Sequence, residues 1–288
     1  MFDRTLKRFD AYQRSHPRLA FPLAVVKKFG DDRAGDLAAL IAYYGFFSLF
    51  PLLLLLVSVL GFVLHDNPSL RKSILDSALA QFPVIGEQLR EHYESLTANG
   101  VAMGIGTATA LWAGLGVTRA AQRAMNTVWG VPPEQRPTFL AARARGLLML
   151  LVLGSITVTA LFLSGLGTAT GQLGAALRLL GFLGSLGLNI VLFLLAYRVL
   201  TVKHLNWAEV LPGAVAGAVL WTGLQLIGTY VISHQVKRAT PVYGTFAVVI
   251  GVLVWIWVGA QITVFCAEVN AVRVQRLWPR SVLYRGDS

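Results

Sequence analysis

The chain has 288 residues, of which 55% are hydrophobic and only 14% are charged, and its formal net charge is +11. Because soluble domains average about 25% charged residues, this composition excludes an ordinary soluble domain and indicates a membrane protein. The single cysteine, Cys266, excludes an intrachain disulfide and a cysteine-cluster metal site.

Residues 1–36 form a basic N-terminal segment with eight lysines and arginines. Its stretch FPLAVVKKF is short and amphipathic, and we expect it to lie along a headgroup surface. The segment has no apolar core ahead of a small-residue cleavage site. We therefore expect the first membrane span to serve as an uncleaved insertion signal.

The first predicted span covers residues 37–64, which carry no charge and are long enough to cross a bilayer as a helix. Pro51 lies near its middle and cannot donate a hydrogen bond to the carbonyl of Phe47. We expect Ser48 or a neighbouring helix to supply that donor. The tyrosine pair that begins at Tyr43 predicts a packing centre beside a kink, and a kink that only shapes the bundle is the alternative.

Five further apolar stretches complete an all-α, six-span membrane domain over residues 37–270, which a basic tail, 271–288, follows. Two short amphipathic helices are expected in the polar segment 65–99, where apolar residues recur near helical spacing. The predicted spans are about 37–64, 100–117, 146–166, 179–197, 208–232 and 243–267.

The connection between the second and third spans, residues 118–145, is basic. A separate interfacial helix is expected over residues 118–129, with its arginines turned to lipid headgroups or to an acidic partner. Glu268 lies near the same side of the membrane and is the candidate partner of Arg119. The residues that share the polar face of this helix are Arg119, Gln122, Arg123 and Asn126.

The distribution of basic residues predicts the orientation of the spans. Of the 25 lysines and arginines, 19 lie in the N-terminal segment, the loop 118–145, residues 198–207 and the tail, and six lie in the alternate segments. The positive-inside rule therefore predicts that both termini are cytoplasmic. Scattered basic residues beside spans indicate anionic lipid headgroups as partners, whereas a nucleic-acid surface would need a clustered basic patch.

Motifs for catalysis or metal binding are absent from the sequence. None of the five histidines pairs with another at metal-ligand spacing, and no nucleophile elbow, P-loop or HExxH motif occurs. We therefore predict no catalytic residue, no metal and no cofactor.

Polar side chains inside the spans are better candidates for function, because burying them in lipid is costly. Gln225 lies in span five, while Gln261 and Glu268 share a face of span six. We expect these faces to turn toward the polar residues of span one or toward a wet cavity. The structural alternatives are that Gln225 bonds a neighbouring helix and that Glu268 pairs with Arg273 or another cation.

Three stretches, taken together, resemble the signature regions of one family. They are ALIAYYGFFSLFPLLLLL from Ala39, LWAGLGVTRAAQRAMNTVWGV from Leu111, and TPVYGTFAVVIGVLVWIWVGAQITVFCAEVNAVR from Thr240. Over nearly its whole length the chain resembles the YihY/BrkB family of bacterial six-span inner-membrane proteins. The positions that the resemblance carries over are Tyr43, Ser48, Pro51, Arg119, Arg123, Asn126, Trp129, Tyr243, Gly244, Glu268 and Asn270.

The resemblance implies an inner-membrane protein without a family-wide catalytic residue or substrate. The family was once labelled a tRNA-processing ribonuclease, a label regarded as mistaken, and its members are suspected of transport, including transport of lipids. We predict that the chain binds or transports an amphipathic envelope component such as a lipid and is not an enzyme. The alternative is a non-transporting membrane scaffold or regulator of envelope integrity. The sequence does not determine the oligomeric state and is compatible with a homo-oligomer.

Overall fold

A computed structural model of the chain describes residues 17–63, 68–79, 100–169, 175–235 and 244–279. Within these ranges the regular structure is helical, as predicted, and includes a short 3-10 turn at Pro133–Gln135. The α-helices are α1 (Pro17–Asp31), α2 (Ala34–Val63), α3 (Pro68–Leu79), α4 (Gly100–Val128), α5 (Phe139–Ala169), α6 (Ala175–Leu200), α7 (Trp207–Gln235) and α8 (Gly244–Gln275).

Four helices of the described chain are long and apolar enough to cross a membrane. They correspond to the third to sixth predicted spans, and α2 contributes a shorter apolar stretch, Ala34–Leu49. The prediction of an all-α membrane protein is therefore confirmed, while the count of six spans stays a prediction. The four apolar windows are Phe139–Ile156, Gly181–Leu200, Trp207–Gly228 and Val249–Gln275.

Two helices, α4 and α8, join most of the described helices. α8 contacts α1, α2, α4 and α7, and α4 contacts α2, α5, α6 and α8. α5 then contacts α6, and α6 contacts α7. Of the tyrosine pair of the first span, Tyr44 packs its ring against Gly116 of α4, while Tyr43 and Tyr44 keep 54% and 38% of their surfaces exposed, and a packing centre there stays a prediction.

One end of the bundle, here called the basic end, brings together α1, the end of α4 with residues 129–138, the connection 201–206 and the end of α8. Asn126 accepts a hydrogen bond through Oδ1 from the backbone N–H of Val202 at 3.0 Å. Gln275 donates through Nε2 to the carbonyl of Trp129 at 3.3 Å. These side chains join segments that lie far apart in the sequence.

The largest buried core cluster includes residues from the basic end and is rich in alanine. Small side chains allow helix backbones to approach closely, which favours association of membrane helices. Tyr197 is buried in this core, and its hydroxyl donates to the carbonyl of Thr263 at 3.0 Å, which ties α6 to α8. The alanines come from α2, α4, α7 and α8 and include Ala34, Ala38, Ala124, Ala214, Ala260, Ala267 and Ala271.

α7 contains Pro212, which leaves the carbonyl of Ala208 without its usual helical donor. Two side chains of α8 compensate for the disturbed backbone. Arg273 donates through Nη1 to the carbonyl of Ala208 at 3.4 Å. Asn270 accepts from the N–H of Gly213 at 2.7 Å and donates to a second backbone carbonyl of α7 at 3.0 Å. Asn270 is fully buried, so the pair of helices is joined by satisfied polar contacts.

Two predictions concern short helices. The FPLAVVKKF stretch belongs to α1, whose Ala24 and Val25 are buried in a cluster with Val272 of α8, and its position along a headgroup surface stays a prediction. The helix expected over residues 118–129 is not separate, because α4 runs unbroken from Gly100 to Val128. Of the two helices expected within 65–99, α3 is confirmed, and the other lies outside the described residues.

Gly213 allows the close contact between α7 and α8, and we predict that Gly213→Ala destabilises the protein. A Cβ there would lie 2.2 Å from the carbonyl oxygen of Cys266, and such overpacking costs about 1–3 kcal/mol. Gly223→Ala on the same helix is the matched control, since a Cβ at Gly223 meets nothing within 4 Å and alanine favours a helix by about 1 kcal/mol. Thermal unfolding in detergent should show a lower midpoint for the first variant alone. Equal midpoints would contradict the close packing.

Candidate functional site

The basic end contains a buried ionic cluster centred on Lys28 in the last turn of α1. Its ammonium donates to the Asp32 carboxylate at 2.5 Å and to the carbonyl of Val128 at 2.7 Å. It also lies 2.8 Å from Glu268 Oε2. Three oxygen-bearing groups thus surround the Lys28 ammonium, which has three N–H donors. One group lies at the end of α1, one on α4 and one on α8.

The charges in this cluster do not balance. Two carboxylates share one ammonium, and Glu268 is fully buried while Lys28 is 5% exposed. Neither oxygen of Glu268 has a well-directed hydrogen bond within the described residues, so its contact with Lys28 is an ion pair without further support. Burying charges is costly unless they are paired. Glu268 therefore depends on Lys28 to remain buried.

The predicted partner of Glu268 was Arg119, and the structure corrects this. Lys28 occupies that position instead, which agrees with the alternative that Glu268 pairs with a cation. Arg119 stacks over the ring of Phe139 at 4.7 Å, and Arg273 bonds the α7 backbone. Lys28 was missed because its segment was assigned to the headgroup surface.

A signal for Lys28 was present in the sequence. Ala20 and Ala24 precede it at intervals of four residues, so the lysine lies on the apolar stripe of α1. Both alanines are buried in the structure, as is Lys28. A cation on the buried face of an amphipathic helix requires a buried acidic partner, and Glu268 is the acid in span six.

Several candidate residues form structural contacts. Asn126 and Asn270 bond backbone groups of neighbouring segments, as described above. Ser48 is buried and donates to the carbonyl of Gly45 at 2.8 Å. Ser48 therefore does not supply the hydrogen bond that Pro51 cannot donate, because the acceptor of that bond is the carbonyl of Phe47. α2 nevertheless continues as a helix through Pro51 to Val63.

That the polar faces of spans one, five and six turn toward each other or toward a wet cavity stays a prediction. α8 contacts both α2 and α7 and lies between them. Gln261 is half-buried on α8 beside Gly35 of α2, and Gln225 is half-buried on α7. Arg123 is exposed, Gly244 begins α8, and Tyr243 lies outside the described residues.

Cations and aromatic rings are paired along the surface of the basic end. Arg119 and Arg143 both lie over the ring of Phe139, at 4.7 and 4.5 Å. Arg198 lies 4.1 Å from the centre of the Trp207 ring. Such pairs are favourable by about 0.5–1 kcal/mol at exposed sites. Within the described residues these three guanidinium groups have aromatic partners and no ion-paired acid.

The described ranges contain no group of three or more histidine, cysteine, aspartate or glutamate side chains placed to hold a metal ion.

The profile of the family described as Virulence factor BrkB matches residues 25–283. The chain belongs to the BrkB family. This membership confirms the resemblance on which the motif residues were selected.

Relatives of this BrkB-family chain carry names of membrane proteins. The inner membrane protein YhjD of Escherichia coli (strain K12) is 26% identical over 87% of this chain and 80% of its own length. A UPF0761 membrane protein of Vibrio vulnificus is 26% identical over 92% of this chain and 85% of its own. A Bacillus subtilis relative, YfkH, named as ribonuclease-like, is 22% identical over 83% of this chain and 90% of its own. No solved structure matches the BrkB-family chain.

We predict that Lys28→Met destabilises this BrkB-family protein by about 3–5 kcal/mol, because it leaves a buried carboxylate without its cation. The double variant Lys28→Met/Glu268→Gln should recover much of that loss, since the uncompensated charge is then removed. Lys27→Met, on the partly exposed neighbour, should cost less than about 1 kcal/mol. Thermal unfolding in detergent measures all three variants. Strict additivity of the two substitutions would show that the ion pair contributes nothing.

Proposed function

We propose that this BrkB-family protein binds or transports an amphipathic envelope component, specifically a lipid with an anionic headgroup. The proposal includes six spans with both termini in the cytoplasm, so that the basic end meets the cytoplasmic leaflet of the inner membrane. The protein acts without catalysis in this proposal. A ribonuclease activity would need groups that trade protons or hold metals on RNA.

The observation that carries the proposal is the row of cations on aromatic rings at the basic end. Phe139 and Trp207 are 61% and 51% exposed, and each supports a guanidinium group. Tryptophan and other amphipathic rings are favoured at the boundary between acyl chains and headgroups. Arginine at that depth attracts anionic lipids. The ring and the guanidinium together match a molecule with an apolar body and an anionic head.

The helices that begin at this boundary present apolar surface. On α5, Leu147, Leu148 and Leu151 are exposed, and α7 exposes Leu211 and Val215. These side chains follow within a few turns of Phe139 and Trp207. Acyl chains would lie against such faces while a headgroup stays with the cations, which supports a lipid rather than a water-soluble anion as the ligand.

A non-transporting scaffold is the second candidate, and a specific observation favours it. Glu268, Asn126 and Asn270 all match family positions, and all three hold helices or connections together. A protein whose motif residues only maintain packing would support partners or envelope integrity without moving a molecule. Lipid movement separates the two functions.

We predict that the purified protein accelerates the movement of fluorescent phosphatidylglycerol between the leaflets of phosphatidylcholine vesicles. The cations of the basic end attract the anionic headgroup, so zwitterionic fluorescent phosphatidylcholine should move more slowly. A membrane-impermeant quencher reports the leaflet, and protein-free vesicles provide the control. If neither lipid moves faster than in the control and no lipid is retained on purification, the lipid function is wrong and the scaffold is favoured.

A further inference from the structure

A cavity of about 390 Å³ lies at the basic end, between the start of α5, the end of α6 and the connection to α7. Four basic side chains and one tryptophan are among its lining residues. They are Arg145, Arg198, Lys203, His204 and Trp207. The other lining residues are apolar or are Thr201, and none is acidic.

Within the described residues the cations of this cavity lack acidic partners, since Arg145, Arg198 and Lys203 make no ion pair there. The Nη1 atom of Arg145 is buried and has no hydrogen-bond partner in this part of the chain. A buried donor without an acceptor is costly, and three guanidinium or ammonium charges in one cavity repel each other. A bound anion would supply an acceptor for the buried donor and would reduce the repulsion between the cations.

We propose that this cavity, here called the headgroup pocket, binds the phosphate-bearing headgroup of an anionic lipid. The proposal rests on the proposed lipid function and assigns it a site. Arginine suits phosphate because its planar donors bind two oxygens at once. Two arginines from different helices, Arg145 of α5 and Arg198 of α6, would contact the phosphate from different sides.

The size and position of the headgroup pocket favour a headgroup over a whole lipid or a free anion. Pockets that enclose small ligands span about 300–1,000 Å³, so 390 Å³ accommodates a headgroup and excludes the acyl chains. Those chains would leave past Trp207 onto the exposed leucines of α5 and α7. Inorganic phosphate shares the headgroup's chemistry but gains nothing from these apolar faces.

The test uses the full-length protein in a neutral detergent, titrated with a fluorescent short-chain phosphatidic acid. Arg145→Gln and Arg198→Gln should each weaken binding about tenfold, because each removes a charge-assisted hydrogen bond. Arg276→Gln is the matched control: Arg276 is exposed near the basic end and does not line the pocket. Each variant removes one positive charge, so a general attraction to anions would weaken equally in all three.

Two further measurements keep the outcomes distinct. Thermal unfolding shows whether each variant is folded. If Arg145→Gln is not folded, Arg145→Lys, which keeps the charge but loses the planar donors, is measured in its place. Inorganic phosphate as competitor separates the two sources of phosphate. Weaker binding in the pocket variants alone, with poor competition by phosphate, supports the proposal. Equal weakening by Arg276→Gln, or competition by phosphate as effective as by lipid, overturns it.

Failure of the headgroup pocket is distinguishable from failure of the proposed function. If the wild type moves phosphatidylglycerol between leaflets and the pocket variants move it equally well, the function holds and the site is wrong. If the wild type binds phosphatidic acid through Arg145 but moves no lipid, the site holds and transport is wrong.

Discussion

The basic end depends on the ammonium group of Lys28, which contacts Asp32, the carbonyl of Val128 and Glu268. These contacts tie α1 to the end of α4 and to α8, the two helices that join most of the described bundle. A buried carboxylate with one ionic partner is stable only while that partner stays. The arrangement of the neighbouring connections, and so of the cations they carry, follows from this cluster together with Asn126, which bonds Val202.

Much of the fold followed from hydrophobic length and periodicity. Apolar stretches identified the helices α5 to α8. Packing partners were not predictable in the same way. A hydrophobic pattern shows the faces of a helix but not the helix that each face meets, so Glu268 was paired with Arg119 instead of Lys28.

The proposed site uses the chemistry that the sequence predicted, but the sequence did not indicate its location. Basic residues beside spans predicted anionic headgroups as partners, whereas the polar residues singled out within the spans, such as Gln225 and Gln261, do not line the headgroup pocket. The headgroup pocket combines residues of α5, α6, the 201–206 connection and the start of α7, and Arg145 and Trp207 are 62 positions apart. Arg145 and Lys203 carry no motif, so only the three-dimensional arrangement shows that they share a cavity.

An experimental density map of the protein in lipid nanodiscs that contain phosphatidylglycerol tests the account most directly. We predict headgroup density between Arg145 and Arg198, with the acyl chains leaving beside Trp207, and the Lys28 ammonium in contact with Glu268. Density for the chain's own terminal segment in the headgroup pocket, or a pocket without lipid while Lys28 is turned away from Glu268, would contradict it.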